Sequence, residues 1–256
     1  MSVILETQNV SKHYGAYRAL QEVSLKFNEG EVVAIVGPNG AGKTTLVNVL
    51  TGLLKPTHGD VLFRGTSIAG VGPVRLAKLG MARAFQLVHV FPDLTVFEAI
   101  ASAVISQQDR NFDFWSNAQS IDTVRDRVDQ VARIFGLQNR LDWLASYLSQ
   151  GEKKLLDIAS AFALNPQVIL LDEPTSGISS SDKRGLMDTL MEGARKAGIK
   201  TMLLVEHDMD LIAEYSTRIV ALTEGRVLAD LPPKEFFADP DLAATIVGKP
   251  PSHAKA

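Results

Sequence analysis

Apolar residues in this chain form short strand-like runs that are separated by helical patterns. In residues 22–27 every second side chain is apolar, which is typical of a strand with one buried face, and residues 3–10 follow a similar pattern. Residues 32–36, 168–171 and 202–205 are continuously apolar and are followed by glycine or an acid, as expected of parallel strands buried on both faces. The alternation of these runs with helical patterns predicts a mixed sheet flanked by helices.

Between residues 94 and 148 the period of the pattern becomes helical. Apolar side chains there recur at spacings of three and four, on one helix face, at Val124, Val128, Val131 and Phe135. Residues 106–120 interrupt this pattern with polar residues and with aromatics of no helical period, so they predict an inserted loop. The proline-containing end, residues 249–256, predicts a frayed tail.

The composition of the chain excludes several classes of protein. Of its 256 residues, 46% are hydrophobic and 21% are charged, which is ordinary for a globular protein and unlike a disordered or collagenous chain. The 26 basic and 29 acidic residues give a net charge of −3, so we expect no nucleic acid partner. The absence of cysteine excludes disulfides and thiolate metal sites. No apolar run reaches the roughly 18 residues of a membrane-spanning helix, and the first residues lack the features of a secretory signal.

A glycine-rich loop follows the first continuously apolar run. Residues 37–44, Gly-Pro-Asn-Gly-Ala-Gly-Lys-Thr, match the phosphate-loop pattern and precede a helical pattern. The glycines let successive backbone N–H groups converge on an anion, Lys43 can neutralise β- and γ-phosphate charge, and the Thr44 hydroxyl can bind Mg²⁺. A turn that only reverses the chain would not need Lys43 and Thr44 at this spacing. The loop predicts a nucleoside triphosphate site, which kinases, GTPases and many ATPases share.

Acidic residues and a histidine follow the other two runs. Successive strand residues point to opposite sides, so we assign Asp172 to the Mg²⁺ shell and Glu173 to a water that attacks the γ-phosphate. His207 could donate a hydrogen bond to the γ-phosphate and sense its presence. The alternative interpretation is acidic turn residues and a structural histidine. The remaining histidines lack a comparable setting and are interpreted as surface or loop residues: His13, His58, His89 and His253.

A further motif points to a family. Residues 148–152, Leu-Ser-Gln-Gly-Glu, open a helical pattern upstream of the acidic strand and resemble the LSGGQ signature of ABC-type ATPases. The resemblance covers nearly the whole chain, and it implies a P-loop NTPase fold of the α/β class with a mixed sheet flanked by helices, an antiparallel β part and a helical subdomain. It also implies one domain over residues 1–248, composed of a nucleotide-binding core (1–93 and 149–248) and a helical subdomain (94–148).

The resemblance implies roles for further residues. Tyr14 lies where the family has an aromatic that stacks on adenine, and Gln86 resembles the Q-loop glutamine that joins the core to the helical subdomain. His207 matches the family's switch histidine, and residues 172–175 match its D-E-P-[TS] element. The implied catalytic residues are Glu173, His207 and Gln86, and the implied Mg²⁺ ligands are Thr44, Gln86 and Asp172. The implied ATP-binding residues are Tyr14, Gly37, Asn39, Gly40, Gly42, Lys43, Thr44 and Thr45.

The signature implies a second chain. A serine hydroxyl, a glycine N–H and a helix dipole at one helix start all favour phosphate oxygens. In the family this site faces the phosphate loop of the opposite protomer, so ATP closes a dimer and hydrolysis opens it. The residues implied to act on the ATP of a partner chain are Ser149, Gln150, Gly151 and Glu152.

Three residues depart from the family pattern. Gln150 and Glu152 replace a glycine and a glutamine of the signature, and Ser179 stands where an acid is usual. Because Glu152 brings a negative charge toward an anion site, we expect it to turn away or to pair with a base such as Lys153 or Lys154. None of the departures removes an expected ligand, so we expect an active site.

The single core resembles the separate ATP-binding subunit of a bacterial importer, and within that group the branched-chain amino acid importers. That resemblance implies transmembrane permease subunits as partners, a dimer with itself or a paralogous ATPase, and an indirect partnership with a periplasmic solute-binding protein. It also implies a peripheral location on the cytoplasmic face of the inner membrane. Three alternatives remain open: the ATPase of lipopolysaccharide export, an ABC ATPase without a transport role, and a kinase, which leaves Ser149 and Gly151 unexplained.

A docking surface for the permease is expected around residues 86–97. Apolar residues there could receive a helix from a membrane subunit, or could pack into the chain's own helical subdomain. They are Val88, Val90, Phe91 and Leu94.

Overall fold

The protein was analysed as a computed structural model that describes residues 2–84, 92–107 and 118–247. The strands are β1 (Val3–Tyr14), β2 (Tyr17–Asn28), β3 (Val32–Val36), β4 (His58–Phe63), β5 (Thr66–Ser67), β6 (Met81–Ala84), β7 (Val168–Asp172), β8 (Thr201–Val205), β9 (Arg218–Thr223) and β10 (Arg226–Leu231). The α-helices are α1 (Lys43–Leu50), α2 (Pro73–Leu79), α3 (Val96–Gln107), α4 (Ala118–Ile134), α5 (Gln150–Ala163), α6 (Lys183–Ala197), α7 (Met209–Tyr215), α8 (Pro233–Ala238) and α9 (Pro240–Val247). None of the helices in these ranges has the length and apolar character needed to cross a membrane.

The chain divides into two compact units, and the first comprises Met1–Leu76 and Lys200–Ala256. One part of this unit is antiparallel: β1 pairs with β2 and with β4, and β4 pairs with β5. In β2, Val23, Leu25 and Phe27 are buried while the side chains between them are exposed. The predicted half-buried strand at residues 22–27 is therefore confirmed. Residues 3–10 also form a strand, but buried and exposed side chains do not alternate along it, and both strands extend further along the chain than predicted.

The other part of the first unit is a mixed sheet. Strand β3 pairs in parallel with β8 and β9, and β10 pairs antiparallel with β9. Every residue of β8 and all but the first of β3 are buried, which confirms the prediction of strands covered on both faces. Helices α7 and α8 pack on this sheet through a cluster that includes Val36, Ile212, Ile219 and Phe236.

The described residues of the second unit, Ala77–Ile199, include a parallel strand pair and the helices α3, α4, α5 and α6. Strand β6 pairs in parallel with β7, whose residues are all buried. The Phe135 and Phe162 rings meet edge to face with centroids 4.9 Å apart. Gly193 of α6 lies against α4, where an added Cβ would stand 2.8 Å from Ile134 Cγ2. A side chain at this position would force the two helices apart.

Some predictions fall at or beyond the edges of the described ranges. Helix α3 continues through Gln107 and α4 begins at Ala118, so the predicted loop 106–120 is helical at both of its ends. Its central residues, 108–117, lie outside the described residues, as do the tail and the segment 85–91, which contains Gln86 and three of the four expected docking residues. The predicted division into core and helical subdomain stays a prediction.

Candidate functional site

The phosphate-loop residues connect the end of β3 to the start of α1 through closely packed backbone. Gly42 caps α1 with φ 102°, and an added Cβ would lie 2.6 Å from the carbonyl oxygen of Ala19. An added Cβ at Gly37, whose φ is 151°, would lie 2.3 Å from the carbonyl oxygen of Leu222. Only glycine fits either position without displacing backbone, and this lets the loop turn tightly into the helix.

Lys43, in the first turn of α1, places its ammonium group at the centre of the loop. Its Nζ donates hydrogen bonds to the carbonyl oxygens of Gly37 at 2.6 Å and Pro38 at 3.0 Å, and the side chain is buried. The neighbouring Thr44 is exposed. Since the first turn of a helix presents N–H groups without intrahelical acceptors, the loop concentrates positive potential where an anion can approach.

Two more of the predicted site residues in the first unit lie at or just after the end of a strand. Tyr14 closes β1 with 47% of its surface exposed, and the Lys12 ammonium lies 5.4 Å from its ring centroid. Its ring is thus accessible for stacking. His207 follows β8 and is exposed, and its backbone N–H donates to Oε2 of the buried Glu206 at 3.1 Å. The next residue, Asp208, caps α7 by accepting from the Leu211 N–H.

Asp172, the last residue of β7, is held by an arginine from the neighbouring strand. Oδ2 of Asp172 accepts a hydrogen bond from Nη2 of Arg83 at 2.5 Å, and both side chains are less than a tenth exposed. A buried carboxylate without a partner would be strongly unfavourable, and Arg83 offsets that cost. A Mg²⁺ ion that uses Asp172 must therefore share this carboxylate with Arg83.

Glu173 follows Asp172 in an unusual backbone conformation. Its φ is 49°, in the left-handed region that residues with a Cβ rarely adopt. Its carbonyl oxygen accepts from the Ser176 N–H at 3.1 Å and from Nζ of Lys154 at 2.5 Å. The sharp turn after β7 therefore begins at the predicted catalytic carboxylate itself.

The signature forms a capping box at the start of α5. The Ser149 Oγ accepts a hydrogen bond from the Glu152 N–H at 3.2 Å, and the Glu152 Oε2 accepts from the Ser149 N–H at 2.9 Å. Since the Ser149 oxygen is the acceptor in this bond, its hydroxyl proton remains able to donate to a phosphate oxygen. Gly151 lies in the same first turn, and an added Cβ there would lie 3.7 Å from Ile178 Cδ1.

Glu152 pairs with a base, as one of the two expected alternatives, but that base is neither Lys153 nor Lys154. Glu152 instead accepts a hydrogen bond from Nε of Arg140 at 3.3 Å, and the Arg140 guanidinium lies 3.9 Å from the ring centroid of Trp143. Lys154 is buried on α5, where its Nζ donates to the Glu173 carbonyl oxygen and to the Ser176 Oγ. The pKa of Glu152 lies below its ordinary value, first because the Ser149 N–H donates to its carboxylate and, to a smaller extent, because of Arg140.

Replacing Glu152 with Gln is expected to lower the free energy of unfolding by about 0.5 kcal/mol at neutral pH, since the charge near the helix start is lost. Because the folded-state pKa is lowered, this contribution is complete above the ordinary value of 4.5 and disappears as the pH falls through the lowered pKa. Urea unfolding of both proteins between pH 7 and pH 3.5 measures the difference. A difference that widens toward low pH would contradict the assignment.

The predicted magnesium ligands suit that ion chemically. Thr44 and Asp172 offer a hydroxyl and a carboxylate, the hard oxygen donors that Mg²⁺ prefers. Within the described residues no group of three or more His, Cys, Asp or Glu side chains could hold a metal alone. Mg²⁺ is usually held by one or two carboxylates together with phosphate oxygens and water, so this donor set fits an ion that arrives with a nucleotide.

The sequence did not predict the contacts that Arg83, Arg140 and Lys154 make in the structure. A signal existed for two of them. Arg83 is a lone charge between alanines in a short apolar stretch, and Lys154 precedes the buried Ile158 by four residues, which places it on the buried face of α5. The contact of Arg140 with Glu152 depends on how the chain folds back before α5, for which the sequence offers no local pattern.

Comparison with known proteins gives concordant matches. The sequence profile of the family described as ABC transporter matches residues 20–176. The chain is 32% identical to the high-affinity branched-chain amino acid transport ATP-binding protein LivG of Salmonella typhimurium, over 96% of this chain and 98% of that protein. It is similar to an ATP-binding cassette of an ABC transporter in its ADP conformation, with TM-score 0.82, 29% identity, and coverage of 96% and 98% of the two chains. A dimeric cassette in a post-hydrolysis state with ADP and Pi has TM-score 0.77, 27% identity, and coverage of 90% and 98%.

Proposed function

Because this chain belongs to the ABC transporter family of ATP-binding proteins, we propose that it is the ATP-hydrolysing subunit of an importer for branched-chain or related amino acids. The observation that supports nucleotide binding best is the phosphate loop, in which the Lys43 ammonium sits inside a glycine-rich turn at a helix start. The observation that supports the amino acid class is the near full-length similarity to a branched-chain amino acid transport protein.

In this proposal the loop and the residues after the strands divide the work on ATP. Lys43 binds the β- and γ-phosphate oxygens, and Tyr14 stacks on the base. Glu173 accepts a proton from the attacking water, while His207 donates a hydrogen bond to the γ-phosphate. Gln86, which lies outside the described residues, is proposed to complete the site. Bound Mg²⁺, held by Thr44 and Asp172 with phosphate oxygens, would neutralise charge on the β- and γ-phosphates.

The signature of one protomer is proposed to bind the ATP of its partner, which is either a second copy or a paralogous ATPase. The Ser149 hydroxyl keeps a proton that it can donate, and it lies at the start of α5, where the helix dipole favours the γ-phosphate. ATP would then supply contacts to both protomers, and its cleavage would remove them. Hydrolysis would therefore let the two chains separate, and membrane subunits bound to them would change conformation with them.

The proposed partners are permease subunits and, indirectly, a periplasmic solute-binding protein, with this chain peripheral on the cytoplasmic face of the inner membrane. To test this, the chain is reconstituted in vesicles with the permease subunits and solute-binding protein of a branched-chain amino acid importer from the same organism. We expect uptake of leucine, isoleucine or valine that requires ATP on the side of this chain. The control complex contains Glu173→Gln and should not transport. Failure of the chain to associate with those permeases, or ATP hydrolysis without uptake of any of these amino acids, would contradict the proposal.

A further inference from the structure

A buried lysine connects the signature helix to the turn that begins at the catalytic carboxylate. Lys154 lies on α5 with only 6% of its surface exposed. Its Nζ donates to the carbonyl oxygen of Glu173 at 2.5 Å, to the carbonyl oxygen of Ser176 at 3.3 Å and to the Ser176 Oγ at 3.0 Å. An ammonium group has three protons, so Lys154 can donate to several oxygen atoms of this segment at once.

The segment that Lys154 holds is strained. Glu173 adopts φ 49°, and such a conformation persists only where surrounding contacts impose it. The Ser176 N–H donates to the Glu173 carbonyl, and the Ile178 N–H donates to the Thr175 carbonyl, so the segment is a hydrogen-bonded turn. Lys154 binds Glu173 and Ser176, the two residues that the first of these backbone hydrogen bonds joins. The conformation that sets the direction of the Glu173 side chain therefore depends on α5.

A purely structural lysine is a poor explanation of this contact. The neighbouring buried positions of α5 are apolar, among them Leu156, Ile158 and Phe162, and an apolar side chain would fill the position of Lys154 without the cost of burying a charge. Two of the hydrogen bonds from the ammonium group go to backbone carbonyl oxygens, those of Glu173 and Ser176. Its bonds therefore fix the path of the backbone after β7.

We propose that Lys154 is a positioning residue that ties the signature of a protomer to that protomer's own catalytic carboxylate. This inference rests on the proposed function, in which Ser149 binds the partner's ATP while Glu173 acts on the ATP of its own chain. Because Lys154 lies in the second turn of the helix that Ser149 caps, docking of the signature on one nucleotide is transmitted to the turn that orients Glu173 for the other. Each protomer thereby hydrolyses its ATP efficiently only when its signature is engaged.

The test compares Lys154→Met with Lys153→Met in the full-length chain. Met has the length of Lys without its donors, and Lys153 is the adjacent lysine on a more exposed face, so it is the matched control. We expect Lys154→Met to lower kcat roughly 10–100-fold, as a small misplacement of a catalytic group does, with unchanged KM for ATP. ATP-driven dimerisation in a Glu173→Gln background should also persist, since no ATP-contacting group is removed. Lys154→Arg, which keeps donors, should restore much of kcat.

A second variant keeps the proposal falsifiable if Lys154→Met folds poorly. Ser176 is exposed, so Ser176→Ala should fold normally while removing one acceptor; we expect a roughly fivefold lower kcat. Ser176→Ala should lower kcat little further when it is combined with Lys154→Met, because Lys154→Met already removes the hydrogen bond to the Ser176 hydroxyl. Wild-type kcat in both single variants, a parallel rise in KM, or an equal loss in Lys153→Met would overturn the role of Lys154. A wild-type chain without Mg-dependent ATP hydrolysis would instead overturn the proposed function.

Discussion

Replacing Glu173 with Gln is expected to lower ATP hydrolysis by about 10²–10⁴-fold and to leave ATP binding intact, because the amide has the shape of the carboxylate but cannot accept a proton from water. ATP that is bound and not cleaved should hold two protomers together. The variant should therefore form an ATP-dependent dimer that the wild-type chain populates only briefly during turnover.

Two measurements check this expectation: phosphate release and mass determination by light scattering with and without Mg-ATP. The matched control is Glu192→Gln on α6, which removes an exposed carboxylate of the same unit whose ion pair with Lys196 is on the surface. That variant should hydrolyse ATP at the wild-type rate. A Glu173→Gln chain that turns over ATP normally would remove Glu173 from its assigned role.

Replacing Lys43 with Ala is expected to weaken ATP binding by roughly 100-fold. Lys43 is the cation at the centre of the phosphate loop, and hydrogen bonds from a charged donor to phosphate are worth about 1.5–3 kcal/mol each. The nucleotide-free chain should keep its fold, since loss of the lysine also removes a buried charge. A lower ATP affinity with an unchanged unfolding temperature would show that the variant loses nucleotide binding and not its fold.

Binding of a fluorescent ATP analogue measures the affinity, and thermal unfolding without nucleotide checks the fold. Lys55→Ala is the control, because Lys55 is an exposed lysine outside the loop and is expected to have no effect on affinity. An unchanged affinity in Lys43→Ala would count against the phosphate-loop assignment, whatever the stability of the variant.

Local sequence patterns predicted those helices, strands and loops whose own residues are characteristic of the structure they form. Residues 32–36 form β3 and residues 37–44 lead into α1, because a buried strand, a glycine-rich turn and an apolar helix face each leave a recognisable period. The signature residues begin a helix, as predicted. The capping box of Ser149 and Glu152 was not predicted, although a serine followed three residues later by a glutamate is its sequence signal.

Contacts between distant residues could not be predicted in this way. Arg83 and Asp172 are 89 residues apart, and they meet only because β6 and β7 pair in parallel with Arg83 opposite Leu170. The base that pairs with Glu152 is Arg140, and not Lys153 or Lys154, which sequence proximity favoured as examples. Three-dimensional packing decides such pairs, and a single sequence contains no record of it.

The central claim is that the phosphate loop of one protomer and the signature of another bind the same ATP. The most direct measurement is a crystal structure of the Glu173→Gln chain grown with Mg-ATP. We expect a dimer in which each triphosphate contacts Lys43 of one protomer and Ser149 of the other. A nucleotide-loaded structure in which Ser149 faces away from every bound ATP would contradict the account.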